Sequence, residues 1–511
     1  MVGVSNIATV TGINVVTKAK SVLRLSQNPS LQRIKTPRQP KLPNAAIEGL
    51  KAALTQCKRP PKQLQSEADN LYERYTQRHF PASREVIRAT RSFVTMKLRE
   101  AGMEELDASV YGKSINKGSK EYFNAKVAKA LKQLNHTWKP LDFESEENAA
   151  AYALALLSSN FSEVYRVLCE FDTNKFVPET VLDFGSGIGS SFWACNEKFG
   201  PSVKEYTLVD SNQIISQFAM DIMRSDKGGE VLVHPNVNFR RSFVPSLQTK
   251  YDLVICHRSL IEFPNPDIRL ELIKALWERT NKYLIFIESH MFDSFEAIIE
   301  ARDYILEGAY TIDLKKAEPI IKEYGVTHYE INEILNNNKL SEFEKFCQIK
   351  SKFPDNVKLP TTLEPSHVFA PCPHDKSCPK LDMTVGKKNS CNFAVKYRDI
   401  RADGKKTKLE NGTGNTSYSY VILEKGPRPK GQEFYPRLVK YTKGNKHYNC
   451  HGCTAFHGIQ HYVISAKNKS LFQLTKGLNH GDKIPYKIEV EKTLSDDAIL
   501  TEEEIFNLQD N

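Results

Sequence analysis

The sequence predicts an α/β fold: a largely parallel sheet, a helical cap before it and a cysteine-rich module inserted late in it. Three observations predict it. A glycine-rich turn, Gly185-Ser186-Gly187-Ile188-Gly189, follows the apolar pair Val181-Leu182 and Asp183, and a helical pattern opens behind it. About twenty residues on, the run 206–209 ends in a second carboxylate, Asp210. Two further continuous apolar runs, 251–256 and 283–288, suit strands buried on both faces. Strand, glycine turn, helix and acid-ended strand make the opening βαβ of a Rossmann-like sheet.

Glycines permit a tight strand-to-helix turn and let a ligand approach bare backbone. The form acid-x-Gly-x-Gly-x-Gly is the S-adenosylmethionine (SAM) version of this turn more than the dinucleotide version. The candidate cofactor-binding residues are therefore Asp183, Gly185, Ser186, Gly187 and Gly189, with Asp210 on the ribose hydroxyls. The alternative is a glycine turn that has lost its ligand.

Taken in order, residues 1–42 read as a mitochondrial presequence and linker. The first 47 residues hold seven Lys or Arg and no Asp or Glu, and VVTKAKSVLRL has the composition of a basic amphipathic helix. A basic tail that touches nucleic acid is the other reading. Residues 43–173 form a helical N-terminal domain. Pro81 to Glu85 starts one helix, Ser145-Glu146-Glu147 opens another, and 161–169 has apolar residues at three- and four-residue spacing. The SAM-binding core spans 174–310, with strands at 181–184, 205–209, 237–240, 251–256 and 283–288 and helices at 267–279 and 295–306. A charged helical excursion follows at 311–365. The cysteine-rich, basic module covers 366–460, and 461–495 holds the last strand of the core and a C-terminal segment. The acidic end, 496–511, reads as a mobile tail. With strands at 417–423 and 461–465 as the last two of the sheet, the cysteine module is an insertion into the core.

The net charge of +10 favours a polyanion, and RNA is the natural candidate. No apolar run reaches the eighteen residues or so of a membrane span. Ten cysteines in 511 residues are no disulfide framework, and five of them fall between Cys372 and Cys453. Their spacing is C-x5-C-x12-C, Cys372, Cys378 and Cys391, then Cys450-His451-Gly452-Cys453. Thiolates so spaced hold either a structural zinc or an iron–sulfur cluster. Prolines 371, 373 and 379 stiffen the loop around the first two cysteines. From Lys396 to Lys446 there are thirteen Lys or Arg against five Asp or Glu, with tyrosines interleaved. Such a field binds phosphates and stacks on unpaired bases.

No catalytic constellation is legible. Enzymes that methylate exocyclic base amines carry an Asn/Asp-Pro-Pro-aromatic turn after the fourth strand. Here that place reads Cys256-His257-Arg258-Ser259-Leu260-Ile261-Glu262-Phe263. Pro371-Cys372 has the dipeptide of cytosine-C5 enzymes, but far beyond the fifth strand. His257, at a strand end, is a candidate base, with a packing or hydrogen-bonding residue as the more common reading of a histidine placed there.

From about Leu156 onward the chain resembles the mitochondrial small-ribosomal-subunit methyltransferase-like family. The resemblance rests on SNFSEVYRVLCEF, FVPETVLDFGSGIGSSFWA, YDLVICHRSLIEFP, FAPCPHDKSCP with CNF, YSYVILEKGPRP, and YPRLVK with HGC and HYVISAKN. It implies a protein of the mitochondrial matrix that associates with small-subunit rRNA, ribosomal proteins and other assembly factors. It also implies a [4Fe–4S] cluster on Cys372, Cys378 and Cys391, with Cys453 as fourth ligand and Cys450 as its rival. The rival functions are an active SAM-dependent rRNA methyltransferase and a stable structural protein of the small subunit. After the fifth strand the family reads Glu-x-Gly-Thr-Pro-x-Gly-Phe, whereas this chain reads Glu288-Ser289-His290-Met291-Phe292-Asp293-Ser294-Phe295, without the glycines or the proline.

Overall fold

The computed structural model describes residues 9–10, 13–14, 20–27, 36–76, 81–82, 84–102, 117–133, 141, 143–224, 231–354, 356–381, 390–403, 412–429 and 434–493. The chain divides into two compact units. One comprises 35–371 and 375–432, the other 1–34, 372–374 and 433–511. The first strands, β1 (Thr9–Val10), β2 (Ile13–Asn14) and β3 (Lys20–Gln27), belong to the smaller unit.

The larger unit begins with five helices, α1 (Asn44–Leu54), α2 (Pro61–Thr76), α3 (Arg84–Glu100), α4 (Lys117–Gln133) and α5 (Glu146–Leu168). Ser145 caps α5, its hydroxyl accepting from the Asn148 amide at 3.3 Å. The two helical stretches expected on either side of residue 160 are one helix of 23 residues. Nearly all of its side chains are buried, so it runs through the core.

Five parallel strands follow: β4 (Thr180–Phe184), β5 (Glu205–Val209), β6 (Val237–Arg240), β7 (Tyr251–His257) and β8 (Thr280–Ser289). Between and after them come α6 (Ser190–Phe199), α7 (Gln213–Met223), α8 (Pro266–Arg279) and α9 (Phe292–Gly308). The strands β9 (Ser366–Ala370), β10 (Phe393–Arg398) and β11 (Thr413–Lys425) complete an eight-stranded sheet of order β10-β11-β8-β7-β4-β5-β6, with β9 pairing on β11. The strand β11 runs antiparallel to β8, Ile422 opposite Ile285. The apolar runs are buried from Leu253 to Cys256 and from Leu284 to Ile287, each at 0% exposure. Each such side chain contributes roughly 1.5–3 kcal/mol by leaving water, which is why continuous apolar strands settle at the middle of the sheet.

The charged excursion is three helices, α10 (Leu314–Glu323), α11 (His328–Leu335) and α12 (Glu342–Lys350), around Ile312, Ile321, Ile331, Ile349 and Phe353. Capping boxes open α11 (Thr327 with Glu330) and α12 (Ser341 with Glu344).

The smaller unit holds β12 (Arg437–Lys443), β13 (His447–Thr454), β14 (Gly458–Ser465), α13 (Lys469–Thr475) and β15 (Tyr486–Thr493). The three strands β12-β13-β14 form one antiparallel sheet, and β15 pairs with β3. Their core is Leu438, Tyr448, Cys450, Tyr462, Ile464, Leu471, Ile484 and Tyr486, with Leu23 and Leu25 against it.

Two expectations are corrected here. The strand at 461–465 is not the last strand of the core sheet. It is part of β14, where Tyr462 and Ile464 face in and His461, Val463 and Ser465 face out. That alternation suits a sheet with one wet face, unlike the continuous runs of the core. The last core strands are β10 and β11, so the cysteines at 372–391 lie between β9 and β10. The basic stretch expected as an amphipathic helix contains β3, whose Leu23 and Leu25 recur at the period of two that a strand requires. The rest of 1–35, the acidic tail at 496–511 and parts of the basic field, 404–411 and 430–433, lie outside the described residues.

Candidate functional site

The sheet reverses its winding between β4 and β7, and open α/β sheets bind ligands at that crevice. The glycine turn leaves β4 there. The amides of Gly185 and Ser186 both donate to the Val209 carbonyl, at 2.8 and 3.1 Å, which ties the turn to the end of β5. Gly185 has φ 69° and Gly187 φ 51°, conformations that favour glycine. A Cβ on Gly185 would lie 1.9 Å from the Ser259 hydroxyl, so a side chain is excluded by contact as well. A Cβ on Gly187 would meet nothing nearer than 3.8 Å. Gly189, at φ 76°, is the N-cap residue of α6.

Asp210 is held by the same turn. One carboxylate oxygen accepts from the Gly187 amide at 2.9 Å and the other from the Asn212 amide at 3.0 Å. Burial raises its pKa against those two amides. Each oxygen keeps a lone pair in reserve. Asp183 is deeper, 1% exposed, and neither of its oxygens has a hydrogen-bond partner of good geometry. Burial pushes it up to about 7, with the Ser191 hydroxyl opposing and the Asp210 charge adding. Glu288, at the end of β8, is also fully buried. Its Oε1 accepts from the amides of Leu260 and Ile261 at 2.7 and 3.4 Å, while its Oε2 has no partner. Burial pushes this acid up to about 7 as well, against the nearby Arg258 charge.

The group that sequence reasoning missed is Glu163. It lies in the C-terminal third of α5 at 0% exposure. Arg258 grips it with two hydrogen bonds, Nη2 to Oε1 at 2.5 Å and Nε to Oε2 at 3.1 Å. The His257 Nε2 lies 3.1 Å from Oε2, and the Thr416 hydroxyl donates to Oε1. Burial alone would raise the Glu163 carboxyl, but the Arg258 charge and the His257 hydrogen bond outweigh it and hold the group at about 2. His257 is pulled down by burial, against Glu163, and so is a neutral donor near pH 7. The local sequence carries little signal for this set. Glu163 stands among Ser159, Asn160, Ser162 and Arg166, and only its burial in the fold shows that its carboxylate needs a cation.

Arg258 is the only non-glycine residue with positive φ among the described residues, at 57°. The residues after the fourth parallel strand are thus turned inward. His257 and Arg258 face Glu163, and the Ser259 hydroxyl donates to the Phe184 and His257 carbonyls at 3.3 and 3.0 Å.

None of the ten cysteines is in a disulfide. In the smaller unit Cys453 lies 3.5 Å from the His374 Nε2, and both are buried. Cys450, on the same strand, faces the opposite way into the apolar core, and burial pushes its thiol up to about 11. In the larger unit Cys378 packs with Phe295 and Ile299 of α9, and Cys391 lies against the same cluster. Among the described residues no three His, Cys, Asp or Glu side chains are gathered as a metal site.

The family described as mitochondrial small ribosomal subunit Rsm22 matches residues 146–314 and 357–485, more than half of the chain. The chain belongs to the Rsm22 family. It is a mitochondrial protein. Both matched blocks of the Rsm22 family carry site residues, Glu163 to Glu288 in the first and the five late cysteines in the second. The human ribosome assembly protein METTL17, mitochondrial, is 27% identical over 373 residues, 72% of this chain and 69% of that protein. Among solved structures the chain is similar to human N-acetylserotonin methyltransferase in complex with SAM, at 19% identity over 29% of this chain and 39% of that one, with a TM-score of 0.23. It is also similar to magnesium protoporphyrin IX methyltransferase from Synechocystis PCC 6803 with bound SAM, at 15% identity over 35% of this chain and 79% of that one, with a TM-score of 0.22. The chain spans less than two thirds of the first of these two enzymes. No helix among the described residues is long and apolar enough to cross a membrane.

Proposed function

We propose that the chain is an assembly factor of the mitochondrial small ribosomal subunit, binding its rRNA and ribosomal proteins, and that its Rossmann-like unit is a binding module. The observation that carries this reading is the Glu163 ion set. In a base-directed methyltransferase the residues after the fourth strand face the substrate. Here His257 and Arg258 are spent on an internal carboxylate. The human relative, by its name, is a ribosome assembly protein.

The residues at the crevice fit SAM. Gly185 and Gly187 keep the backbone bare, Asp210 is oriented by two amides with lone pairs in reserve, and the orphaned Asp183 carboxyl lies beneath. Bound there, SAM would supply a transferable methyl group, or serve only as a ligand that stabilises the unit. Cys372, Cys378, Cys391 and Cys453 would hold the [4Fe–4S] cluster, with zinc as the alternative. The donor set suits either, being thiols outside disulfides, with His374 beside one of them. A bound cluster makes ligation part of the folding free energy, so assembly would follow cluster supply.

The test is replacement of the protein in depleted cells by the Gly187→Ala chain and by the Cys372→Ser, Cys378→Ser chain. Assembled small subunits and the methyl marks of their rRNA are both read. The proposal expects assembly to fail in the cysteine variant while every methyl mark stays on the rRNA that is made. Loss of one specific mark with assembly intact in Gly187→Ala identifies an enzyme and removes the proposal.

A further inference from the structure

We infer that the helical pair α3–α4 is a docking arm for unpaired RNA, a second contact apart from the glycine turn and the cysteine segments. It rests on the rRNA-binding reading above and names a surface for it. The pair lies before residue 146, outside the residues that define the family match.

Charge singles it out. Helix α3 carries five Lys or Arg against two Glu, and α4 five against one, so two 17-residue helices supply +7 of the chain's +10. The other Lys-rich helices behave differently. Together α10, α11 and α12 carry five Lys against six Glu, the balance of a solvated face, whereas α3 has only two Glu, one of them paired with Lys97 at 2.7 Å. On α4 the cations at 126, 129 and 132 recur at three-residue spacing, so like charges share one face. That arrangement costs a few tenths of a kcal/mol per pair in an isolated helix, and a polyanion removes the cost.

Packing leaves these cations outward. Val94 and Leu98 of α3 meet Phe123 and Val127 of α4 in a cluster separate from the main core. Val94 and Leu98 turn one apolar side to α4, while Ile87, Phe93 and Met96 stay exposed, at 36%, 51% and 47%, so vesicle binding is measured beside RNA binding to separate lipid from RNA. Arg88, Lys97, Arg99, Lys126, Lys129 and Lys132 are all exposed. Two exposed aromatic rings sit among them, each under a cation. Lys97 lies 5.9 Å from the Phe93 ring centre and Lys126 5.0 Å from that of Tyr122. Phe93 is 51% exposed and Tyr122 38%. Cations that track a backbone, interleaved with rings on which bases stack, are the chemistry of single-stranded nucleic-acid binding.

The experiment uses the full chain and a fluorescent oligouridylate, with affinity read over a salt series. The test variant is Arg88→Gln, Lys126→Gln, Lys129→Gln, Lys132→Gln. The control is Lys126→Arg, Lys129→Arg, Lys132→Arg. The test variant is expected to bind at least about tenfold more weakly at low salt, with a salt slope shallower by about 0.7 for each cation that met a phosphate. The control is expected to bind like the parent. If the parent binds and the test variant binds with the same affinity and slope, the arm is overturned while the rRNA reading stands. If the parent itself binds no RNA, both fall. Loss of binding to phosphatidylcholine–phosphatidylserine vesicles with RNA binding unmoved assigns the arm to lipid and overturns it. Should the four-fold variant not fold, Phe93→Ala, Tyr122→Ala carries the same test, with weaker binding at an unchanged slope expected and unchanged binding overturning the arm.

Discussion

Arg258 and Glu163 form a two-point ion pair at the heart of the larger unit, 95 residues apart in sequence, with Nη2 to Oε1 at 2.5 Å. The guanidinium reaches it from a left-handed backbone, φ 57°. A bulky residue in that conformation is strained by about 1–3 kcal/mol, and the pair is what holds it there. The strand end that would otherwise present a substrate-facing group is thereby locked.

Removing one partner should therefore cost far more than a surface ion pair. Glu163→Ala leaves a buried guanidinium uncompensated, and a loss of about 3–5 kcal/mol in urea unfolding is expected. Lys204→Ala, which breaks an exposed pair with Glu179 (67% and 61% exposed), serves as the comparison and should change stability by under about 1 kcal/mol. Equal losses in the two variants contradict the buried-pair account.

Asp183 and Glu288 set a pH dependence of the opposite sense to that of Glu163. Both are raised to about 7 from ordinary values of 3.8 and 4.5. The folded chain keeps these protons when the unfolded chain has released them. Their contribution is thus full below about pH 4 and lost as pH rises to about 7. Glu163, lowered to about 2, contributes above its ordinary 4.5 and loses that as pH falls towards 2. Asp183→Asn with Glu288→Gln should flatten the fall in urea midpoint between about pH 4 and 7 and raise the midpoint at pH 8. A parent whose midpoint does not fall over that range contradicts the assignment.

The glycine turn separates ligand loss from fold loss. Gly187→Ala meets only ordinary contacts, none nearer than 3.8 Å, and bears its positive φ, a cost of about 1–2 kcal/mol. The variant should fold, and calorimetric titration with SAM should show a weakened or absent heat. Gly185→Ala adds the overlap with Ser259, so its loss of stability should exceed that of Gly187→Ala, and Ser259→Gly should restore part of it. Wild-type SAM binding by the Gly187→Ala chain would remove the turn from the ligand site.

The two neighbouring cysteines of β13 should differ in kind. Cys450 is 0% exposed within the apolar core of its unit, beside Tyr462. Cys450→Ala should lower the free energy of urea unfolding by about 1 kcal/mol or more through the cavity it leaves, and spare any cluster absorbance of the anaerobically purified protein. Cys453→Ser should abolish that absorbance. The reverse pattern would move the fourth ligand to Cys450.

The strands of the core were legible because a strand buried on both faces is written as a continuous apolar run, and β7 and β8 are such runs. The glycine turn was legible because positive φ favours that residue type at Gly185 and Gly187, with close contact excluding a side chain at Gly185 as well. The ion set was not. Glu163 stands among Ser159, Asn160, Ser162 and Arg166, and nothing marks its carboxylate as buried until α5 is seen to be buried on nearly every face.

What the sequence by itself determined is local: the βαβ opening with its glycine turn, the helical cap and excursion, the cysteine spacing and the basic balance. Each follows from the conformational or charge properties of residues close together in the chain. The tertiary structure alone decided which distant segments meet. It placed Lys20–Gln27 beside Tyr486–Thr493, moved the strand at 461–465 into a second sheet, and brought Arg258 to Glu163. The physical reason is common to all three. A backbone edge or a buried charge must be satisfied by a complementary group, but nothing in its own neighbourhood says how far along the chain that group lies.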